Sequence, residues 1–563
     1  MVQRFRDFPY ERPDFTAFRA EFLSLVREFV KAATADAQDE ILGQINARRN
    51  YYASLSSLAH IRYTLNTKDQ FYTAEQEFFD ETDPLYEELI TDYYRALVAS
   101  PHREELSRRH GRQLFTLAEM ALRTFSPAVI ALLQQENKLA SSYKKLLASA
   151  AIPFDGEKKN LSQLVPYQQS PDRTIRREAA EARYRFFAGH REEFDEIYAR
   201  LVAVRTEIAA RLGFENFIPL AYLRRSRSDY TAREVAAFRR EIKRHVVPLA
   251  SALRTQQAER LGLPSLKYYD EALFYPEGNP APAGTPEEIL AQGQAMYQEL
   301  SPETGDFFRE LTERELLDLL ARAHKAPGGY CDYLAAFQAP FIFANFNGTA
   351  GDIDVLTHEA GHAFQVWLGR HRDIPEYHFA TMEAAEIPSM GMEFFTRPYM
   401  ELFFGSLAPL YRHQHLSEAV LFLPYGALVD HFQHEVFARP GLTSAERRRL
   451  WHTLEQIYLP HRDYDGHPFL LDGGYWYQQG HIFEVPFYYI DYCLAGTCVF
   501  QLWQRAFTAR ESAWQDYLAL CRAGGSLPLL ELLSLARLSS PFAPGTVKQV
   551  TAAVRSRLEE NRP

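Results

Sequence analysis

The amino-acid sequence predicts a mainly α-helical fold, and three features of its 563 residues support this. Apolar residues recur three and four positions apart over long segments, with arginine and glutamate between them, which is the spacing of a helix with one buried face. The strict alternation typical of half-buried strands is scarce. Threonine-based helix-start sequences also precede several periodic segments. The clearest periodic segments are 15–33, 83–99, 173–212 and 231–260.

Four helix starts are predicted from a threonine followed three positions later by glutamate or glutamine. In this arrangement each side chain satisfies a backbone N–H group that the first turn of a helix leaves without a partner. At Thr285 the prediction is strengthened by Pro286, because proline suits the first helical position. The four sequences are Thr73-Ala-Glu-Gln76, Thr231-Ala-Arg-Glu234, Thr285-Pro-Glu-Glu288 and Thr443-Ser-Ala-Glu446.

One β-strand is predicted, at 339–346, where apolar and aromatic residues lie between two glycine-containing turns. Prolines, glycines and polar residues interrupt the helical pattern at 151–170 and at 275–286, and we predict loops there. The chain has no internal repeat, so a solenoid is not expected.

Composition and charge argue against several classes of function. The 73 acidic and 62 basic side chains give a net charge of −11, so the chain lacks the cationic field that attracts nucleic acids and anionic membranes. The N-terminal residues carry a charge or a proline every few positions, unlike a signal peptide, and no run approaches the roughly 18 apolar residues of a membrane helix. Four cysteines without a C-x-x-C pair suit a reducing compartment. We expect a soluble, cytoplasmic protein with no nucleic-acid or membrane partner, and its oligomeric state is open.

The sequence His358-Glu-Ala-Gly-His362 follows the predicted strand in a segment of helical periodicity. On a helix, His358 and His362 are one turn apart on the same face, so their imidazoles can share one Zn²⁺ ion. Glu359 is turned about 100° from His358, too far to join that row but near enough to reach a water molecule that the zinc activates. The spacing predicts a site for one zinc ion with Glu359 as general base. The alternative is a pair of helix histidines that only pack or cap.

A catalytic zinc site needs a third protein ligand and one open position for water. The metzincin pattern does not supply this ligand, because it requires glycine and histidine where the chain has Gln365 and Leu368. Several downstream carboxylates are candidates, and spacing alone does not choose among them. They are Glu376, Glu383, Glu386 and Glu393.

Taken together, His358-Glu-Ala-Gly-His362 and Glu386-Ile-Pro-Ser389 resemble the M3 family of zinc metallopeptidases, which includes thimet oligopeptidase and the bacterial oligoendopeptidases F. The length and the C-terminal sequence are most similar to the oligoendopeptidase F and Pz-peptidase branch. The resemblance implies that Glu386 is the third zinc ligand. It also implies two helical halves that form a deep substrate channel, with a small β-sheet next to the helix of the two histidines. We expect an N-terminal helical region at 1–160 and a catalytic region at 161–563.

A third segment, 480–495, agrees with this resemblance. In the family it supplies a histidine and tyrosines that line the cleft and hydrogen-bond the substrate carbonyl as it becomes an oxyanion. Tyr489 and Tyr492 match family positions, and His481 matches with an interval that differs by one residue. A valine stands where mammalian members have a further tyrosine, and Tyr488 could take that role. The alternative for any one of these tyrosines is an aromatic core residue.

The residues and the resemblance together predict a zinc endopeptidase that hydrolyses internal bonds of short unstructured peptides. The predicted strand offers a backbone edge to which an extended peptide could add, at Phe343, Ala344 and Asn345. Glu393 lies two helical turns beyond Glu386 on the same face and could accept a hydrogen bond from one imidazole. An ordinary solvated carboxylate is the alternative for Glu393.

Two other functions stay open at this level. A helical zinc carboxypeptidase or peptidyl dipeptidase shares the two histidines and differs in how the end of the channel is built. A carboxypeptidase of the related Taq type would have His-Glu-Ser around its third ligand, where this chain has Ala385-Glu386-Ile-Pro-Ser389. A catalytically silent helical peptide-binding protein is a remote alternative, and the intact Glu359 argues against it. Cobalt or manganese could occupy the same ligands as zinc.

Overall fold

A computed structural model describes residues 3–322 and 324–562. Of this chain, 71% is helical, so the predicted mainly α fold is confirmed. No single helix in the described ranges is long and apolar enough to span a membrane, and only one pair bent by 51°, Arg112–Thr124 with Pro127–Ala148, meets that criterion when combined. The N-terminal helices are α1 (Phe15–Lys31), α2 (Ala35–Leu65), α3 (Gln70–Val98), α4 (Arg103–His110), α5 (Arg112–Thr124) and α6 (Ile130–Ala148).

The N-terminal helices form a hydrophobic core of their own. Helices α1, α2 and α3 pack side by side, and Phe22, Ile45 and Tyr93 are fully buried between them. Ile374 and Tyr377, from a distant part of the chain, join the same core. This packing ties the N-terminal helices to the segment that leads into the helix of Glu386.

Helix starts follow the predicted capping sequences at three of the four positions. Capping boxes form at Thr231, Thr285 and Thr443, where the glutamate three residues later accepts a hydrogen bond from the backbone N–H of the threonine. The prediction at Thr73 is wrong. Asp69 accepts hydrogen bonds from two backbone N–H groups of the first turn and caps α3 four residues before Thr73.

The middle of the chain departs from the predicted loop at 151–170. This segment contains an antiparallel hairpin of β1 (Ile152–Phe154) and β2 (Glu157–Lys159). Its turn residues, Asp155 and Gly156, both have positive φ, which is the geometry of a two-residue hairpin turn. The helices that follow are α7 (Val165–Gln168), α8 (Arg173–Gly189), α9 (Arg191–Arg211), α10 (Phe217–Arg224), α11 (Ala232–Glu241), α12 (Val247–Arg260), α13 (Pro286–Leu300) and α14 (Pro302–Glu313).

A three-stranded sheet precedes the helix of the two histidines. Its strands are β3 (Leu317–Leu320), β4 (Tyr330–Leu334) and β5 (Ala339–Phe346), in the order β3-β5-β4. β3 runs parallel to β5 and β4 runs antiparallel to it. The predicted strand at 339–346 is confirmed, but it is the central strand of the sheet and is buried along most of its length.

The C-terminal helices surround the largest hydrophobic core. Helices α15, α16 and α22 pack against one another, and α22 is broken at Ala509, where φ is −150° and ψ is 60°. The helices are α15 (Gly351–Gly369), α16 (Met382–Thr396), α17 (Glu401–Phe404), α18 (Ala408–Ala438), α19 (Ser444–Tyr458), α20 (Pro468–Leu471), α21 (Gly480–Glu484), α22 (Tyr489–Ala523), α23 (Leu529–Leu535) and α24 (Thr546–Glu560).

Helices α15 and α16 approach so closely that only glycine fits at position 361. A Cβ atom on Gly361 would lie 2.5 Å from the carbonyl oxygen of Pro388 and 2.6 Å from the Cα of Ser389. Atoms at those distances overlap, so any side chain there would force the two helices apart. Gly361 thereby lets the helix of the two histidines and the helix of Glu386 meet at backbone contact.

Candidate metal centre and active site

Three candidate metal ligands from two adjacent helices meet at one point. His358 and His362 extend from α15, and Glu386 extends from α16. Glu386 Oε2 lies 3.2 Å from His358 Nε2 and 3.4 Å from His362 Nε2. The donor atoms of the three residues all lie within 4.8 Å of one another. The two imidazole rings are 5.0 Å apart and inclined by 79°, so their nitrogens converge from different directions.

The spacing of these donor atoms fits a zinc ion. Zinc binds histidine nitrogen at about 2.0–2.1 Å and carboxylate oxygen at about 2.0–2.2 Å in a tetrahedral arrangement. Two ligand atoms at such distances and at a tetrahedral angle are about 3.3 Å apart, which matches the separations of Glu386 Oε2 from both histidines. Two nitrogens and one oxygen are a donor set that zinc accepts readily. His358, His362 and Glu386 would therefore hold the ion and leave one position open.

Two side chains orient the carboxylate of Glu386. Ser389 Oγ donates a hydrogen bond of 2.8 Å to Oε2, and the hydroxyl of Tyr488 donates to Oε1. Burial opposes ionisation of this carboxylate, but the two neighbouring imidazoles outweigh burial and hold the pKa of Glu386 well below its ordinary value. Glu386 is thus held as the anion that a metal ligand requires.

The carboxylate of Glu359 lies close enough to His358, His362 and Glu386 for their charges to act on its pKa, and it forms no hydrogen bond in the described part of the chain. It is buried, and burial raises its pKa, although His358 and His362 oppose this. Gly329, just before β4, lies against it: a Cβ atom there would be 3.6 Å from Glu359 Oε1. Glu359 is therefore free to accept a hydrogen bond from a small molecule at the centre.

A chain of hydrogen bonds extends from His358 away from the centre. His358 Nδ1 lies 2.6 Å from Glu393 Oε1, and Glu393 Oε2 lies 2.8 Å from His415 Nε2. Arg397 donates to His415 Nδ1 over 2.8 Å and to the carbonyl of Arg412 over 2.8 Å. A guanidinium only donates, so His415 Nδ1 must accept and its Nε2–H must donate to Glu393. Glu393 in turn accepts from His358 Nδ1–H, which leaves Nε2 of His358 with a lone pair for a metal.

His481 and three tyrosines form one cluster beside the third ligand. The ring of His481 lies 4.7 Å from Tyr489, 5.9 Å from Tyr492 and 6.0 Å from Tyr488. Gln479 Nε2 approaches His481 Nδ1 to 2.9 Å, so Nδ1 accepts and the proton is on Nε2. Burial lowers the pKa of His481 to about 4, so its ring is neutral at pH 7. Tyr488 differs from the other two tyrosines because its hydroxyl is engaged with Glu386.

The residue before Tyr488 is held in an uncommon backbone conformation. Phe487 has a φ of 66°, in the left-handed region that a large side chain adopts only when its surroundings impose it. Its N–H donates to Gln433 Oε1 over 2.9 Å, and its carbonyl accepts from Arg227. Arg227 also pairs with Asp491 at 2.7 Å. These contacts direct the hydroxyl of Tyr488 towards Glu386.

The predicted free strand edge is wrong at Phe343, which pairs with both neighbouring strands, and the substrate-binding role of Phe343, Ala344 and Asn345 stays a prediction. Strands β3 and β4 pair with β5 on its two sides. The ring of Phe343 stacks on Tyr330 at 4.8 Å, the carbonyl of Ala344 accepts from Lys325, and Asn345 Nδ2 donates to the carbonyls of residues 326 and 328. The edge of the sheet on the side of Glu359 is therefore β4, which sequence reasoning missed.

The other two candidate carboxylates lie elsewhere. Glu376 pairs with Arg49 at 2.7 Å and accepts from the hydroxyl of Tyr94 at 2.6 Å, at the junction with the N-terminal core. Glu383 is fully buried, and neither of its oxygens has a hydrogen-bond partner among the described residues. Burial raises the pKa of Glu383 well above its ordinary value. Of the four acids, tertiary structure brings only Glu386 to both histidines, with Glu393 behind His358.

His415 and Arg397 were not found by sequence reasoning. His415 lies on α18, 57 residues beyond His358 in the sequence, and no spacing rule relates the two. The only local hint is the apolar periodicity of 408–438, which predicts a helix without saying which of its histidines face inward. Their role depends on how α18 packs against α16.

A helix with the sequence HExxH that receives its third ligand, a carboxylate, from a neighbouring helix has the arrangement of a metallopeptidase, and comparison with known proteins agrees. The family profile "Peptidase family M3" matches residues 166–281 and 297–551, and "Peptidase M3 N-terminal domain" matches residues 5–125. The chain therefore belongs to peptidase family M3. No curated protein matches it by sequence.

Solved structures of similar proteins cover the whole chain. A crystal structure described as that of an oligoendopeptidase F has 54% sequence identity to this chain and a TM-score of 0.97, and the alignment covers 99% of each chain. A structure of PZ peptidase A with an inhibitor is 52% identical with the same TM-score and coverage. A structure named for oligoendopeptidase F from Bacillus anthracis is 47% identical with a TM-score of 0.93, covering 99% of this chain and 98% of that one. The predicted branch of the family and the metallopeptidase class are confirmed.

Proposed function

We propose that this protein is a zinc-dependent endopeptidase that hydrolyses internal bonds of short, unstructured peptides. One observation carries the proposal: the donor atoms of His358, His362 and Glu386 are spaced for one zinc ion, and the carboxylate of Glu359, which forms no hydrogen bond within the described residues, lies near them. A structural zinc site would be closed by four protein ligands. Three ligands with a free carboxylate next to them are the arrangement of a catalytic site.

Zinc at such a site lowers the pKa of a water molecule to about 7 and polarises the scissile carbonyl. Glu359 accepts the proton of the attacking water and passes it to the nitrogen of the leaving amine. Its raised pKa suits both tasks, because a group that must accept and then donate a proton works best near the operating pH. Proton transfer of this kind contributes about 10²–10⁴-fold to the rate.

Stabilisation of the developing oxyanion is assigned to the cluster beside Glu386. The neutral ring of His481 presents its Nε2–H, and Tyr489 and Tyr492 lie within 5.9 Å of that ring. Loss of one well-placed donor to an oxyanion costs about 10²–10³-fold in kcat. Tyr488 has another role in this proposal: its hydroxyl orients Glu386, so its loss would weaken metal binding first.

The substrate backbone is proposed to add to the outer edge of β4. Gly329, immediately before this strand, lies against Glu359. Within the described chain, backbone groups of 329–333 form no hydrogen bond to a segment outside the sheet. Main-chain hydrogen bonds of an added strand depend little on side chains, so we expect broad sequence preference.

The chain is further proposed to act in the cytoplasm on peptide fragments. Its four cysteines, Cys331, Cys493, Cys498 and Cys521, are all unpaired, and three of them are buried. Free thiols of this kind persist in a reducing compartment.

The test is mass-spectrometric mapping of the products from a peptide of roughly ten residues with both ends blocked. Wild-type protein is compared with Glu359→Gln protein of the same measured zinc content. Internal cleavage by the wild type, reduced at least 100-fold in the variant, is the expected result. Equal cleavage by both proteins would refute the role of Glu359. Absence of cleavage by the wild type would refute the endopeptidase.

A further inference from the structure

The arginines at the end of α10 lie along the segment that carries His481 and Tyr488. Arg224 pairs with Glu136 at 3.1 Å. Glu136 also pairs with Arg205, which donates to the carbonyl of Phe483 over 2.6 Å. Arg227 binds the carbonyl of Phe487. The residues on either side of Arg225 are thus connected to the two ends of the segment that borders the candidate site.

Arg225 itself has no oxygen acceptor in the part of the chain that the structure describes. The one hydrogen-bond contact of its side chain within the described residues is with Met382, whose sulfur lies 3.0 Å from a terminal guanidinium nitrogen. A thioether sulfur is only a weak acceptor. The buried Nε of Arg225 has no hydrogen-bond partner, although a guanidinium carries five N–H donors. An arginine this poorly satisfied, half-buried next to a candidate active site, has donors available for a ligand.

The contact with Met382 places this guanidinium beside the helix that carries the third ligand. Met382 begins α16 and precedes Glu386 by four residues, so the two lie on nearly the same helix face about 6 Å apart along the axis. An extended peptide advances about 3.3 Å per residue, so an axial separation of about 6 Å corresponds to about two residues. The reach of the two side chains extends this to two or three residues.

The charge of Arg225 persists at neutral pH. Burial lowers its pKa to about 10, although the charge of Asp491 opposes this, and no carboxylate within the described chain forms a salt bridge with it. Its positive charge adds to the effect of burial in keeping the pKa of His481 low, which indicates that its field extends to the candidate oxyanion donor. A half-buried cation that forms no salt bridge favours binding of an anion.

We propose that Arg225 forms a carboxylate subsite that binds the free C-terminal carboxylate of a short peptide two or three residues beyond the scissile bond. The fork of the guanidinium matches a carboxylate with two parallel hydrogen bonds. The inference rests on the proposed function, and it makes the enzyme sensitive to the distance between the cleaved bond and the C-terminus. An aspartate or glutamate side chain at the same place would present the same chemical group.

The test uses matched peptides with a blocked N-terminus. The two peptides of each pair differ only in whether they end as a carboxylate or as a carboxamide. In the first pair the scissile bond lies two residues from the C-terminus, and in the second pair it lies three residues from the C-terminus. Amide peptides with aspartate or asparagine at the last position distinguish a side-chain carboxylate from the terminal one. Wild-type protein is compared with Arg225→Gln, Arg225→Lys and, as a control, Arg233→Gln on the exposed face of α11.

In the wild type, kcat/KM for the acid should exceed that for the amide by about 10- to 100-fold, as for a charge-assisted bidentate contact. Arg225→Gln should reduce this ratio to near one, Arg225→Lys should retain part of it, and Arg233→Gln should leave it unchanged. A second result would also support the subsite, with a side-chain carboxylate as its ligand. In it, kcat/KM is equal for the acid and the amide, but the aspartate peptide has a higher kcat/KM than the asparagine peptide only when Arg225 is present.

A preference for the acid that survives in Arg225→Gln would overturn the subsite, as would equal rates for every peptide of the series in the wild type. Both outcomes would leave the peptidase itself intact. Failure of the wild type to cleave any of the peptides would instead overturn the proposed function and the subsite with it. Thermal unfolding of each variant separates lost binding from lost folding, and Arg225→Lys provides a second variant if Arg225→Gln does not fold.

Discussion

Replacement of Gly361 by alanine should separate the two halves of the candidate metal site. The added Cβ atom would lie 2.5 Å from the carbonyl oxygen of Pro388, whereas ordinary contact begins at 3.4 Å. Helix α16 must therefore move away from α15 by about 0.9 Å, the difference between these two distances. Metal ligands tolerate deviations of only about 0.2 Å, so Glu386 could no longer bind in register with the two histidines. Overpacking of this kind also costs about 1–3 kcal/mol of stability.

The assay is competition for zinc with a chelator of known affinity, accompanied by thermal unfolding of the metal-free protein. We expect Gly361→Ala to lower zinc affinity by at least tenfold and to lower the unfolding temperature of the metal-free protein. The matched control is Gly43→Ala, because Gly43 lies on an exposed helix face with nothing within 4 Å of an added Cβ atom. Alanine there should stabilise the protein by up to about 1 kcal/mol and leave zinc affinity unchanged. Zinc affinity within twofold of wild type in Gly361→Ala would refute the argument that helix contact sets the ligand geometry.

Three further predictions concern the surroundings of the site. His415→Leu removes one of the two hydrogen bonds to Glu393, and we expect about a 10- to 100-fold loss of zinc affinity in the chelator assay; unchanged affinity would contradict this positioning role. Tyr488→Phe should weaken zinc binding through Glu386 while kcat of the zinc-loaded enzyme changes less than tenfold, and a loss confined to kcat would instead place Tyr488 among the oxyanion donors. Burial raises the pKa of Glu376, but the charge of Arg49 outweighs burial, so the pKa is lowered from 4.5. The contribution of this carboxylate to the free energy of unfolding is therefore full above pH 4.5 and is lost as the pH falls through the lowered pKa. Glu376→Gln should therefore cost about 3–5 kcal/mol at pH 7 and progressively less below about pH 4, as measured by denaturant unfolding; a loss independent of pH would refute an electrostatic origin.

The sequence determined the features that depend on neighbours within one helix or turn. Capping boxes at Thr231, Thr285 and Thr443 are confirmed, because their donors and acceptors lie within four residues of each other. The relation of His358 to His362 follows from the helical repeat in the same way. The error at Thr73 also has a local cause, since Asp69 provides a competing cap that accepts from two N–H groups at once. Local hydrogen bonds can therefore be predicted from the sequence, but which of two nearby residues caps a helix cannot.

The family resemblance identified Glu386 as the third zinc ligand, whereas spacing alone did not distinguish it from three other carboxylates. The structure agrees because α16 crosses α15 at Gly361, which brings Glu386 to the histidines, whereas Glu383, three residues earlier, is fully buried and has no contact with either histidine among the described hydrogen bonds. Which face of α16 meets α15 depends on packing with α22 as well. The ligand role of Glu386 remains a prediction until metal binding is measured.

Contacts between residues far apart in the chain could not be predicted and are known only from the tertiary structure. The strand at 339–346 was predicted, yet its place in the middle of the sheet depends on β3 and β4, so the edge beside Glu359 is β4. His415 behind Glu393 and Arg225 beside Met382 likewise come from other helices. Periodicity and capping are encoded within a few residues, because helical hydrogen bonds and side-chain neighbours are local. Pairing of strands and packing of helix faces are settled by burial of apolar surface over the whole chain, and a single sequence carries no short-range record of that choice.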